Sequence, residues 1–548
     1  MAFQVSPGIN VSEVDLSTTI PNVSTSDAAF AAAFQWGPAN VIQNISSERV
    51  LLDTYGKPTT ATEVNWLTAA SFLAYAGSLQ VVRTIDASAA TNATDETEGT
   101  EGYLIESETH YDSLADAGSN FLADATFIAR YPGVYGNGLQ VGITHIHADA
   151  TAWAAASSTA NGNTVNWSSL FNDEPNASGG TDKIHVVVLT NDTTITGTKG
   201  EVLEKHAFVS IAADAKDDQG NSNYLPEVLR RNSKYIYATG NFDGNADLAD
   251  IANWDASTIA GGETFDTLNS TAGDATKGSY LAIMRNGASN NTNGNNTANR
   301  TIGYDKFADA EATDVSLIFT GADNGGGLSI AIESSVVGVR KDCVLFVSPD
   351  KGDVVSNSSL STKTADVVTA KGQKPPSSRS YIVMDSGWKR MYNKYTDKFI
   401  AVPLNGDIAG LCVATDNSAD TWFSPAGFNR GGIKNASSLY FDPDKTSRDT
   451  LYKAGINPVS SFPGEGIVLF GDKTLQSTPS AFDRINVRRL FIVLEKTISR
   501  AARSMLFEFN DEFTRAQFRS MVEPLLRNVK SRRGIVDYTV VCDTTNNT

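Results

Sequence analysis

The chain has 548 residues, 41% of them hydrophobic and 19% charged, with a formal net charge of −18. That balance predicts several soluble globular domains and excludes a disordered chain and a general nucleic-acid binder. No apolar run approaches the roughly 20 residues of a membrane span, and the opening Met1-Ala2-Phe3-Gln4-Val5-Ser6-Pro7 lacks the basic and apolar regions of a secretory signal.

Residues 1–20 read as a lone strand, with Ile9 and Val11 apolar at odd positions and Val14 and Leu16 at even ones. The change of phase predicts a bulge or bend between them. Residues 28–86 read as compact α/β structure. Trp36-Gly37-Pro38 predicts a turn, and Thr60-Ala61-Thr62-Glu63 predicts a capping box opening a helix to about residue 76. Gly77 closes it, and 79–85 is a buried strand.

Residues 87–127 are acidic and Thr/Ala/Gly-rich, which predicts a surface insertion. Strand patterns resume over 140–147 and 184–189 in a β-rich block, 128–334, whose Asn-rich run 286–299 reads as a loop. The α/β texture returns near Ser335. A strand is predicted over 342–347, a hairpin over 381–402 and a helix from Asp407. After Pro479, Val487, Phe491, Leu494, Ile498, Ala501 and Met505 recur at helical spacing, with Arg489, Lys496, Arg500 and Arg503 opposite. A second helix from Thr514 should kink or divide at Pro524. The closing stretch, with Val536, Tyr538 and Val540 alternating, reads as another lone strand. A strand without a hairpin partner must add to another sheet edge.

Charge is uneven. From Arg484 to Arg533 twelve Lys/Arg stand against five Asp/Glu, whereas between Arg83 and Arg130 lie ten Asp/Glu and no Lys or Arg. This predicts one face that meets an acidic partner. Cys343, Cys412 and Cys542 are isolated and read as reduced, packed thiols.

Catalytic signals are poor. His145-Ile146-His147 could offer two zinc ligands, but no partner lies nearby, and an ordinary strand pair is the stronger reading. Gly466-Ile467-Val468-Leu469-Phe470-Gly471-Asp472-Lys473-Thr474 approaches a phosphate loop, yet Asp472 intrudes and bulky residues fill the anion cradle. The glycine-rich 321–327 lacks a following base. Asp483, Arg484, Asn486, Arg488 and Arg489 read as helix capping and an inter-subunit ion-pair network. No cofactor, metal or catalytic residue is assigned.

Ser480-Ala481-Phe482-Asp483-Arg484-Ile485-Asn486-Val487-Arg488-Arg489-Leu490-Phe491 resembles the signature of contractile-tail phage sheath proteins of the T-even type. So do Ser6-Pro7-Gly8-Ile9, Phe34-Gln35-Trp36-Gly37-Pro38, Trp422-Phe423-Ser424-Pro425-Ala426-Gly427-Phe428-Asn429-Arg430-Gly431 and Leu506-Phe507-Glu508-Phe509-Asn510. The resemblance is dense over 1–86 and 335–548.

It implies a multidomain α+β fold. A discontinuous α/β core built from both chain ends (21–86 and 335–533) would carry a small acidic insertion (87–127) and a β-rich outer domain (128–334). Extended strand arms (1–20 and 534–548) would flank it, and family members of this type continue past Thr548, so the last strand reads as truncated. The implied job is structural and non-enzymatic. Hexameric rings stack helically around a tail tube and contract to drive it through the host envelope. The implied partners are copies of the chain, the tail tube protein, and baseplate and tail-terminator proteins, with no direct nucleic acid and no membrane insertion. The place is the virion tail sheath, assembled in the host cytoplasm. Strand exchange would use Ile9, Val11, Val14, Leu16, Val536, Tyr538 and Val540. A tube-facing basic face would use Arg489, Lys496, Arg500, Arg503, Arg515 and Arg519. The rival readings are a glycan-binding or hydrolase tail protein and, on Lys473-Thr474 alone, an ATP-driven motor.

Overall fold

The computed structural model describes residues 25–75, 77–95, 103–116, 126–145, 150–175, 183–210, 212, 214–238, 279–323, 325–357, 359–374 and 379–545. The N-terminal arm, with Ile9, Val11, Val14 and Leu16, lies outside them.

The fold is mixed α+β with several sheets. It begins with β1 (Asp27–Ala32), β2 (Ile42–Ile45) and β3 (Ser78–Arg83). β1 and β3 are parallel, and β2 adds antiparallel to the outer side of β3. β1 is a run of small residues and Phe30, buried on both faces, which suits a strand covered by helices above and below. The turn at Trp36-Gly37-Pro38 needs its glycine. Gly37 has φ +97°, and a Cβ there would stand 2.6 Å from the Thr54 carbonyl oxygen.

The chain then leaves this sheet. β4 (Phe127–Ala129) pairs with β10 (Ile236–Ala238). β5 (Leu139–Thr144), β8 (Lys183–Thr190), β9 (Val202–Ser210) and β11 (Ser279–Ile283) form an antiparallel sheet in the order β11-β5-β8-β9. A small hairpin joins β6 (Ser157–Ala160) to β7 (Asn163–Asn166). These strands bury their own apolar clusters, one centred on Val141, Val186 and Val188, another on Trp153 and Trp167.

The chain returns to the first sheet at β12 (Leu317–Phe319), before Ser335. β13 (Val344–Val347) and β14 (Ile382–Met384) follow, all parallel, giving the order β14-β13-β12-β1-β3-β2. The sheet therefore starts earlier than the expected core boundary, because three apolar residues suffice for a central strand. The expected hairpin over 381–402 divides in the same way. β14 belongs to the parallel sheet, and the hairpin proper is β15 (Trp388–Asn393) with β16 (Lys398–Pro403), joined by β17 (Ser438–Leu439). β18 (Val459–Phe462) and β19 (Gly466–Leu469) make a last two-stranded pair.

One core cluster joins both chain ends, from Phe30, Trp66 and Phe72 to Phe319, Phe346, Leu411 and Ile492. Within it helices Glu63–Leu73 and Asn405–Ser418 pack closely. A Cβ on Gly406 would stand 2.7 Å from the Thr68 carbonyl oxygen. The predicted capping box does not form. The Glu63 N–H bonds the Thr59 carbonyl rather than the Thr60 side chain, the Thr62 hydroxyl accepts from the Thr59 N–H at 2.9 Å, and the Glu63 carboxylate accepts from Asn393 Nδ2 at 3.0 Å. A tertiary partner outweighs the local one.

The Asn-rich run is not a loop either. Asn290 and Asn296 cap helices Asn291–Gly294 and Thr297–Asp305. Asparagine is a strong N-cap, so its density marks helix starts here. Helix Ile485–Ala502 forms where expected but turns a different face to the core, with Leu490, Ile492, Arg489 and Lys496 buried and Phe491 of the expected apolar face 36% exposed, and helix Glu512–Ser531 runs through Pro524 undivided. Among the described residues no helix is long and apolar enough to cross a membrane.

Candidate assembly surface

In parallel α/β sheets a ligand usually sits outside the carboxyl ends of the strands, where the strand order reverses. Here that place is between β1 and β12, and the protein fills it with its own side chains. Arg300, 1% exposed, donates Nε to the Ala31 carbonyl at 2.9 Å and Nη1 to the Ala322 carbonyl at 2.6 Å, with Nη2 on the Thr320 carbonyl. Asn405 donates to the Gly321 carbonyl and accepts from the Gly321 N–H. In the glycine-rich turn beside it, Asp323 accepts from the Leu328 and Ser329 N–H groups and pairs with Lys374. These groups are satisfied internally and leave no anion cradle.

The phosphate-loop look-alike is also used up. Lys473 Nζ donates to the Tyr452 carbonyl at 3.0 Å and lies over the Tyr452 ring, while Asp472 accepts from Arg484 at 2.6 Å. His145 is buried and His147 lies outside the described residues. Among the described residues no group of three or more His, Cys, Asp or Glu could hold a metal.

The polar signature at 483–489 stitches the 485–502 helix to its own protomer. Arg488 lies between the rings of Tyr381 and Phe482, Asn486 donates to the Trp422 carbonyl, and Arg489 donates to Asp416 at 2.5 Å. The expected inter-subunit network is thus intramolecular. The same holds for half of the expected basic face. Arg489 is 4% exposed, and Lys496, 9% exposed, donates to Asp314, to the Val315 carbonyl and to Ser316. Arg500 joins the same Asp314. These long side chains meet acidic partners, Asp416 on the 405–418 helix and Asp314 just before β12, where an unpaired charge would be far costlier. Arg503 stays exposed, and Arg515 and Arg519 are half-buried on the second helix.

The C-terminal segment has a fixed root and a different tip. Val529 and Ile535 pack with Leu490, Leu494 and Trp422. Trp422 Nε1 donates to the Arg532 carbonyl at 3.1 Å, and Arg532 pairs with Asp420. Beyond this root, 535–540 enters no helix and no ladder, and Val536 is 93% exposed. Tyr538 and Val540 are half-buried, with the Tyr538 hydroxyl 3.4 Å from the Glu523 carbonyl.

Sequence reasoning missed a patch between the two helices. Leu506, Phe507, Phe509 and Phe513 are 63%, 106%, 84% and 75% exposed. Four large apolar residues within eight positions of a polar connection were the available signal.

The pattern described as "Phage tail sheath protein central domain" matches residues 329–475, and "Phage tail sheath C-terminal domain" matches 477–548. The chain is 32% identical to the tail sheath protein of Vibrio phage KVP40, over 99% of this chain and 93% of that one. It is 32% identical to the tail sheath protein of Enterobacteria phage T4, with the same coverage of 99% and 93%. Its fold is similar to the sheath tail protein of Listeria innocua, with a TM-score of 0.54 at 12% identity, covering 95% of this chain and 88% of that one. A strand crevice closed by internal cations, an anchored root bearing an unladdered segment, and full-length similarity agree: this chain belongs to the phage tail sheath proteins, structural components of the virion.

Proposed function

We propose that this sheath subunit polymerises as stacked hexameric rings around the tail tube and contracts to drive the tube through the host envelope. The carrying observation is the C-terminal segment, rooted on Trp422 yet without a ladder over 535–540. Unpaired backbone next to a rigid root favours β-augmentation on a neighbouring copy. Head-to-tail contacts that do not close generate helical stacks. Strand links can hold while softer contacts exchange, which a two-state lattice requires. The energy is stored at assembly behind a kinetic barrier, so no nucleotide is needed.

In this reading the discontinuous core comprises the β1–β3 region and the chain from just before β12 to about 533. The β4–β11 region is the inserted outer domain, 87–127 is an acidic surface insertion, and 1–20 and 534–548 are exchange arms. Ile9, Val11, Val14, Leu16, Val536, Tyr538 and Val540 would form the exchanged strands. Arg503, Arg515 and Arg519 remain as the tube-facing bases, and baseplate and tail-terminator proteins cap the stack.

Electron microscopy tests this. The full chain should form rings or tubes, and a chain lacking 1–20 should stay a folded monomer. Ordered tubes from the shortened chain would remove the arm from the mechanism.

A further inference from the structure

His185 sits on β8 with no exposed surface, and both ring nitrogens are used. Nδ1 accepts the Phe208 N–H at 2.9 Å. An amide N–H can only donate, so this bond fixes the tautomer. Nε2 carries the proton and donates it to the Asp173 carbonyl at 2.9 Å. Phe171 stacks on the ring at 4.2 Å between centroids, and Phe208 meets it edge-on at 4.7 Å.

The backbone at Phe208 is strained. β8 and β9 pair Ile184 with Val209 and Val186 with His206, so His185 alone stands opposite Ala207 and Phe208. This is a bulge on β9, the edge strand of its sheet. Phe208 takes φ +53° there, a left-handed conformation that is costly for a bulky side chain, and its side chain is 39% exposed. Strained backbone persists only where its surroundings hold it. Two hydrogen bonds do so, from the Phe208 N–H to His185 and from Asn223 Nδ2 to the Phe208 carbonyl at 2.7 Å. Protonation removes the first, because an imidazolium has two donors and no acceptor. Burial holds the His185 ring below the usual histidine range, while the Asp173 and Ile184 carbonyls and the Asp173 charge pull the other way. Nearby, Lys205 donates to the Leu170 carbonyl at 3.2 Å, and Glu204 and His206 pair with each other at 3.4 Å beside Ser233. Lys183, Glu174, His145 and the charged 214–218 turn stand on the neighbouring segments, and of all these groups only Asp173 adds a charge effect at the ring.

We infer that His185 and Phe208 form an acid-released latch: a proton on His185 Nδ1 opens the β9 bulge and frees residues 207–210 at the edge of the four-stranded sheet. The closed form binds that proton less readily than the open one, whose ring titrates at about 6.5. Opening is therefore coupled to proton uptake, and its equilibrium constant rises by up to about tenfold per pH unit below that value. The six-stranded sheet takes no part, so the latch changes the face of the subunit that β9 edges and is separate from strand exchange.

The test is hydrogen exchange read by mass spectrometry on the full chain from about pH 7.5 to about pH 5.5, with rates corrected for intrinsic exchange. Opening over 202–210 should increase about fivefold to tenfold across that range, while 139–144 on β5 stays protected. In His185→Asn the side-chain carbonyl can accept the same N–H and does not titrate, so the dependence should vanish. His206→Gln, which leaves the latch intact, should keep it. NMR of the histidine-labelled chain gives a second readout: the His185 ring should start as the Nε2–H tautomer and titrate in step with the exchange. Exchange over 202–210 that ignores pH, the same dependence in His185→Asn, its loss in His206→Gln, or a His185 ring that carries its proton on Nδ1 would overturn the inference.

Discussion

Lys389 Nζ lies 2.9 Å from Asp407 Oδ1, and neither side chain has any exposed surface. The pair fastens β15 to the start of the 405–418 helix, and the Tyr75 hydroxyl adds a second bond to the same carboxylate oxygen at 3.2 Å. Taking one partner away strands the other in the core, at a cost of about 3–5 kcal/mol. Lys389→Met should therefore lower monomer stability by that order in urea unfolding. Lys389→Met/Asp407→Leu should recover much of the loss. A single variant as stable as the parent would show that the pair adds nothing to the seam.

Asp385 sits beside this pair, fully buried, and burial pushes its carboxyl up to about 8, with the nearby Asp407 adding to the rise. Unfolded, the group ionises near 3.8. Between those values the folded state holds one proton more, so stability falls as pH rises from about 4 to about 8 and levels off above. The slope from one such group is at most about 1.4 kcal/mol per pH unit. Asp385→Asn keeps the shape and the Ser348 contact while removing the titration. Urea midpoints across this range should be flatter for the variant. Identical slopes would refute the assignment.

The arginines of the last two helices divide by burial. Arg489→Leu leaves the Asp416 carboxylate unpaired at a nearly buried site and should cost about 3–5 kcal/mol. Arg503→Glu alters an exposed side chain and should change stability by less than about 0.5 kcal/mol. Combined with Arg519→Glu it should nonetheless weaken co-sedimentation with tail tubes, increasingly so at low salt. Unimpaired co-assembly would move the tube contact elsewhere.

Val540→Pro removes a backbone donor where the protomer forms no ladder. Thermal unfolding of the monomer should match the parent, while tube formation should fail. Normal polymerisation by this variant would exclude the segment from strand exchange.

Hydrophobic spacing alone was enough to place the 485–502 helix and the strands at 78–83 and 344–347, because period is a local property of the chain, but not to say which face of that helix is buried. Long motifs in family order were enough to identify the resemblance. The tertiary structure decided the fates of side chains whose partners lie far away. Lys496 finds Asp314 across 182 positions, and Arg300 closes the crevice between β1 and β12. Glu63 leaves its own helix end for Asn393. In each case a polar group that could face water on a bare helix is drawn into a low-dielectric interior by a partner invisible to local pattern.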